Sequence, residues 1–230
     1  MNIEVIKLGL TDYDEALELQ MELVKLNQAK LVNDILLLLE HPPLITLGRR
    51  ANEKNILATK YQLDMAGIKT FDTDRGGDVT YHGPGQIIGY TIFDLNNYRK
   101  DIRQFVRKLE HIFVRLLKSN FNIAASIDPK HTGVWVNSEK ILAIGLSVKR
   151  YVTMHGFAFN VNTNLDHFGL IVPCGIKDKG ITSLSRLLGY ELDLNAIKEF
   201  IKSGFCESFE VDCTFRDKDW LIDLISQRKA

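Results

Sequence analysis

Three kinds of side chain in this sequence could carry covalent chemistry: a thiol, an amine and several imidazoles. Cys174 lies in the run Leu170-Ile-Val-Pro-Cys-Gly-Ile176, between a proline and a glycine. A nucleophilic cysteine needs a nearby cation, an imidazole or a helix N-terminus to favour its thiolate. The candidates for that partner are Lys140, His82, His131 and His155. Each residue also has a plainer reading. A free cysteine is most often a small buried apolar residue. Lys140 opens an apolar run and reads equally as a solvated lysine, and His155 as a histidine bonded to backbone. Cys206 and Cys213 have no histidine-rich setting and fit the plainer reading better.

A second chemical feature is the segment DTDRGGDVTYHGPGQIIG, residues 72–89. Its glycines allow positive φ or a close approach of backbone to a ligand. A phosphate loop would need Gly-Lys-Ser/Thr opening a helix, which is absent. A dinucleotide fingerprint would also lead into a helix, whereas Gly83-Pro-Gly85 leads into a strand-like run. Arg75, Asp78, Thr80, Tyr81 and His82 fall close together here, and such loops are where ligand sites gather. The alternative is a long structural hairpin loop. His41, His111 and His167 show no metal-ligand spacing, so no metal site is expected. Arg49-Arg50 form either a solvated turn or part of a surface for an acidic partner.

The elements that must position these residues belong to a chain of 230 residues, 45% hydrophobic and 25% charged. A chain of this size buries about 70% of its extended surface on folding, enough for a sizeable core. Lys+Arg and Asp+Glu are 29 each, so the net charge is zero. That argues against bulk nucleic-acid or anionic-membrane binding, which needs a basic footprint. Three widely spaced cysteines suit a reducing compartment. Acidic residues interrupt the N-terminus, where a signal peptide needs an apolar core. The longest apolar run, residues 35–39, is too short to span a bilayer. A soluble cytoplasmic protein is expected. No repeat or linker marks a boundary, so residues 1–230 read as one domain.

Residues 11–30 predict a helix with an apolar face of Tyr13, Ala16, Leu17, Met21 and Val24. Residues 34–40 read as a buried strand ended by His41-Pro42-Pro43, and 44–47 as an extended continuation. Residues 67–71 are a weak strand and 90–95 a stronger one. Residues 98–119 give the clearest helix, with Ile102, Val106, Leu109, Phe113, Leu116 and Leu117 at helical spacing. Runs at 133–136, 141–148 and 156–161 are separated by short intervals, which suggests an antiparallel meander. Residues 182–188, 193–205 and 218–227 read as closing helices. The pattern is α+β, a mixed β-sheet packed with helices.

Six ordered blocks carry a family resemblance: Leu39-Glu-His-Pro-Pro43 with Thr46-Leu-Gly-Arg49, Arg75-Gly-Gly-Asp-Val-Thr-Tyr-His-Gly-Pro-Gly-Gln86, Thr132-Gly-Val-Trp-Val136, Lys140-Ile-Leu-Ala-Ile-Gly145, His155-Gly-Phe-Ala-Phe-Asn160 and Pro173-Cys-Gly175. Together they resemble the lipoyl (octanoyl) transferases. The resemblance implies the fold of the biotin/lipoate protein ligase catalytic domain. It implies ATP-independent transfer of an octanoyl group from acyl carrier protein to one lysine of a lipoyl domain, through a cysteine thioester. By that resemblance Cys174 is the nucleophile, and Lys140 is its partner, favouring the thiolate and acting as acid/base. Arg75, Gly76, Gly77, Asp78, Val79, Thr80, Tyr81 and His82 would bind substrate, as would Ala143, Ile144, Gly145, Gly156, Phe157 and Ala158, with His155 in support. No cofactor is implied. The acceptors implied are lipoyl domains of 2-oxo-acid dehydrogenase complexes and the glycine cleavage carrier protein. Arg49, Arg50 and Arg75 would meet an acidic protein partner. Two rivals stand beside this reading. One is an ATP-dependent lipoate or biotin ligase of the same fold, which has no need of Cys174. The other is a non-catalytic binder, which has no need of the Lys140/Cys174 pair.

Overall fold

The computed structural model describes residues 2–176 and 179–229. Its elements are β1 (Asn2–Leu10), α1 (Tyr13–Gln28), β2 (Asp34–Glu40), β3 (Leu44–Leu47), α2 (Lys60–Met65), β4 (Lys69–Asp72), β5 (Val79–His82), β6 (Gln86–Ile92) and α3 (Ile102–Phe121). They continue with β7 (Ser126–Ile127), β8 (Val134–Val136), β9 (Glu139–Lys149), β10 (Val152–Asn160), β11 (Gly180–Ile181), α4 (Leu184–Leu188), α5 (Leu194–Phe209), β12 (Asp212–Arg216) and α6 (Lys218–Lys229).

The main sheet runs β12-β1-β2-β6-β10-β9-β8-β7, with β11 paired to β9. β1 is parallel to both β12 and β2, and the sheet is antiparallel from β2 through β8. It is the α+β mixed sheet that the sequence predicts. A second sheet, β4-β3-β5, has three strands among the described residues.

Both faces of the main sheet are covered, which explains the unbroken apolar run of β2. Leu36 and Leu38 join the core under α3 and α5, a cluster rich in phenylalanine. Ile35, Leu37 and Leu39 join the core under α1 and α6. α1 departs from its predicted face. Met21 is exposed, while Leu23, Val24 and Leu26 are buried beside the polar Gln20 and Asn27. The buried stripe is centred on Gln20, and each amide is held by one end, while Gln20 Nε2 and Asn27 Oδ1 have no partner among the described residues. Gln20 Oε1 accepts His155 N at 2.7 Å, and Asn27 Nδ2 donates to Asn33 O at 3.1 Å.

Five strands, β1, β5, β7, β11 and β12, lie where the sequence indicated none. β1 and β12 flank each other at one side of the sheet, and β5 sits inside the glycine-rich segment read as a loop. No helix among the described residues is long and apolar enough to cross a membrane.

Candidate active site

The small sheet, the glycine-rich segment and the main sheet enclose a cavity of about 520 Å³, within the usual range for a small-molecule site. β5 alternates across it. Thr80 and His82 face the cavity, whereas Val79 and Tyr81 turn into the core of the small sheet with Ile45, Leu63 and Phe168. The expectation that the whole run Arg75–His82 lines the site is therefore corrected at Val79 and Tyr81, because side chains alternate along a strand. The other twelve expected binding residues, with His155, Lys140 and Cys174, all border the cavity.

β9 carries an irregularity that orients Lys140. Val134 pairs with Leu142 but Trp135 with Lys140, so Ile141 is an extra residue on β9. Ile141 and Leu142 both enter the helix-covered core. Such bulges re-aim side chains beside functional sites. Here Lys140 is turned to the cavity side. Its Nζ lies 3.4 Å from Cys174 Sγ and 4.8 Å from the centre of the Trp135 ring. Lys140 is buried, with 5% of its surface exposed. Among the candidate partners of Cys174, Lys140 makes this contact. His82 bonds Gln86 and Thr46 instead, and His155 bonds Asp74.

Cys174 sits on a single tight turn, Pro173–Gly175, in the left-handed region with φ 57°. Val172 N donates to Asn55 O at 2.7 Å, and Asn55 Nδ2 donates to Asp78 Oδ2 at 2.6 Å. Asp78 Oδ1 accepts the N–H groups of Val79 and Asn52. Asp78 thus ties the glycine-rich segment to the cysteine turn. A Cβ on Gly175 would lie 2.8 Å from its Oδ2. Asn55 has no signal in the sequence, since it lies in a loop outside the resemblance blocks.

Arg75 is buried in the cavity wall and is not the surface charge that the sequence expectation needs, whereas Arg49 and Arg50 are exposed. Its Nε and Nη2 donate to Thr46 Oγ1 at 3.0 and 2.9 Å. Nη2 also reaches the carbonyls of Thr46 and Asp78, and Nη1 that of Gly76. These acceptors are neutral, so a positive charge remains in the cavity wall. Burial pulls Arg75 below its ordinary pKa, and negative charge at Cys174 opposes that shift.

His82 is buried and held down to about 3, first by burial and then by its histidine neighbour His41. Its Nδ1–H donates to Gln86 Oε1 at 2.8 Å; Gln86 Nε2 donates to Asn160 Oδ1, and Asn160 Nδ2 to Thr182 O. Thr182 N in turn donates to Lys140 O at 3.0 Å. A buried polar chain therefore runs from His82 to the backbone of Lys140. His41 is held down to about 4 by burial; its Nδ1–H donates to Thr11 O and Nε2 accepts the Tyr90 hydroxyl. At the rim, Asp74 accepts from His155 Nε2 at 2.7 Å, Ser147 Oγ at 3.2 Å and Lys149 Nζ at 3.3 Å. Burial would raise Asp74, but His155 and Lys149 outweigh it and bring it to about 2. Cys206 and Cys213 lie away from the cavity, and burial pushes the Cys213 thiol up.

Residues 12–206 match the family described as the lipoyl protein ligase A/B catalytic domain, and the chain belongs to that family. Within it, the chain is 50% identical to an octanoyltransferase of Caldicellulosiruptor saccharolyticus over 98% of this chain and 96% of the relative. It is 48% identical to an octanoyltransferase of Desulforamulus reducens over 99% of this chain and all of the relative. In fold it is similar to a lipoate-protein ligase A bound with ATP, with TM-score 0.77 at 14% identity over 99% and 94% of the two chains.

Proposed function

We propose that this protein transfers an octanoyl group from acyl carrier protein to a lysine of a lipoyl domain, through a thioester on Cys174. The observation that carries the reading is the 3.4 Å approach of Lys140 Nζ to Cys174 Sγ at the wall of the 520 Å³ cavity. An ammonium beside a thiol favours the attacking thiolate. The thiolate adds to the donor carbonyl, Lys140 gives its proton to the departing carrier sulfur, and octanoyl-Cys174 remains beside a neutral amine. The acceptor amine then attacks that carbonyl. It gives its surplus proton to Lys140, acting as base, as the amide bond forms and the Cys174 thiolate departs. Lys140 and Arg75 supply positive charge to balance each thiolate in turn.

Ile88, Ala143, Phe157 and Ala158 give the cavity an apolar wall for the chain. Burying the seven saturated carbons of an octanoyl chain contributes about 5 kcal/mol. No step requires ATP, because the donor is already a thioester. The acceptors are the lipoyl domains of 2-oxo-acid dehydrogenase complexes and the glycine cleavage carrier, and the setting is the cytoplasm. The test is intact-protein mass spectrometry after incubation with octanoyl acyl carrier protein without ATP. Wild type gains one octanoyl group, which lipoyl domain discharges, and Cys174→Ser gains none. Transfer that appears only with free octanoate and ATP would refute the reading.

A further inference from the structure

The edge of the main sheet has a gap one residue wide inside the cavity. β8 ends its pairing with β9 at Val134, opposite Leu142. The preceding residue, Gly133, turns away, and its N–H donates to Glu110 Oε1 at 2.9 Å. Further along β9, Leu146 O accepts Gly76 N at 2.9 Å, so that carbonyl points away from β10. The N–H and C=O of a strand residue project to one side, and the residue two positions away projects its pair to the same side. Ile144 therefore turns both groups into the gap between Gly133 and Gly76. Among the described residues neither group has a partner, and Ile144 borders the cavity.

Backbone groups that lose water when a ligand fills the cavity need partners. A free N–H and C=O on one sheet edge form a template for one extended amide unit. The gap is closed at both ends, by the turn at Gly133 and by the Gly76 loop. One amide of a slender, extended arm can pair there without a further strand beside it. Charge points the same way. Arg50 and Lys130 border the cavity, are exposed, and make no ion pair among the described residues. They suit an anionic group at the far end of such an arm.

We propose that the main chain of Ile144 binds an amide of the donor's thioester arm, an extended chain that carries two amides and an anionic phosphodiester at its far end. This rests on the carrier-thioester reading above. The lysine-bearing strand of the acceptor is the competing occupant.

The experiment measures octanoyl-adduct formation on wild type, Ile144→Pro and Ile144→Val, using octanoyl-pantetheine and an octanoyl thioester of an amide-free thiol. Proline removes an N–H that the ladder does not use, and edge strands tolerate it there. Wild type prefers the amide-bearing donor. In Ile144→Pro that preference falls about threefold to tenfold, the worth of one hydrogen bond. Ile144→Val, which keeps the N–H, retains it. Equal loss with both donors, or slowing confined to discharge onto lipoyl domain, would overturn the proposal. If the proline variant does not fold, wild type is assayed with a pantetheine analogue whose sulfur-proximal amide is an ester. A threefold to tenfold loss supports the proposal and an unchanged rate overturns it. Absence of adduct from every donor on wild type would instead refute the carrier-thioester reading and, with it, this one.

Discussion

Thr46→Val tests whether the glycine-rich segment is held by a buried cation. Valine keeps the shape of threonine and removes only the hydroxyl. Thr46 Oγ1 accepts from Arg75 Nε at 3.0 Å and from Nη2 at 2.9 Å, and both residues are buried. Nη2 retains the carbonyls of Thr46 and Asp78, each at 2.7 Å. Nε has no other acceptor, so the variant leaves one charged donor buried and unpaired, and it also takes from His82 Nε2 its 3.3 Å contact with the hydroxyl. That loss is worth about 2 kcal/mol. In a chain of this size it lowers Tm by about 4–8 °C. Urea unfolding at pH 7 should report the same free-energy loss, with an unchanged m-value. Thr46→Ser keeps the hydroxyl and should stay within about 1 kcal/mol of wild type. A Thr46→Val protein within about 0.5 kcal/mol of wild type would show that the hydroxyl does not hold Arg75.

Lys140→Ala should slow octanoyl-adduct formation by about 100-fold or more, the range for a lost acid/base group; a rate within threefold of wild type would remove Lys140 from the chemistry. Gly145→Ala places a Cβ 2.7 Å from Gly76 O and 3.4 Å from Arg75 Cδ. It should cost about 1–3 kcal/mol in thermal unfolding, together with most of the transferase activity. Stability should also fall in mild acid. His82 and His41 are held to about 3 and about 4 by burial, so they stay neutral in the folded chain while the unfolded chain takes up protons below about pH 6.5. Their contribution is complete above that pH. As pH drops from about 6.5 toward 4, it is lost at about 1.4 kcal/mol per unit for each histidine. Denaturation curves at pH 7 and pH 5 that give the same unfolding free energy would contradict the neutral assignment.

What the sequence shows of this fold is its apolar periodicity. The runs of β2, β9 and β10 and the stripe of α3 are legible because one or both faces meet a core. β1 escapes because its apolar residues are interrupted by Glu4 and Lys7, which find partners only in the folded chain, Arg216 and Glu199. α1 is misjudged in detail because Gln20 and Asn27 are buried, and periodicity counts polar residues as solvent-facing. The cysteine–lysine pair is legible only as family resemblance. No pattern in sequence brings residues 34 positions apart to 3.4 Å. β5 is hidden because its four residues lie among the glycines of residues 72–89. Once a strand is placed there, alternation divides Thr80 and His82 from Val79 and Tyr81.

Two non-glycine residues at the cavity adopt positive φ, His155 and Cys174, both at 57°. Such backbone costs about 1–3 kcal/mol and persists only where surrounding contacts over-determine it. At His155 they do. Its N–H leaves the ladder for Gln20 Oε1, and its ring reaches Asp74 at the rim. A regular strand would send the ring of residue 155 toward the same side as Phe157 and Phe159, into the phenylalanine core. At Cys174 the constraint comes from both flanks. Gly175 N bonds Val172 O, Ile176 N bonds Pro173 O, and Asn55 anchors Val172. The turn thus presents its thiol to Lys140 at a geometry that no helix or strand would supply. Backbone strain, the buried amide of Gln20 and the half-buried Asn55 are aspects of one arrangement. The polar groups that look misplaced in sequence are those that hold reactive side chains out of regular structure.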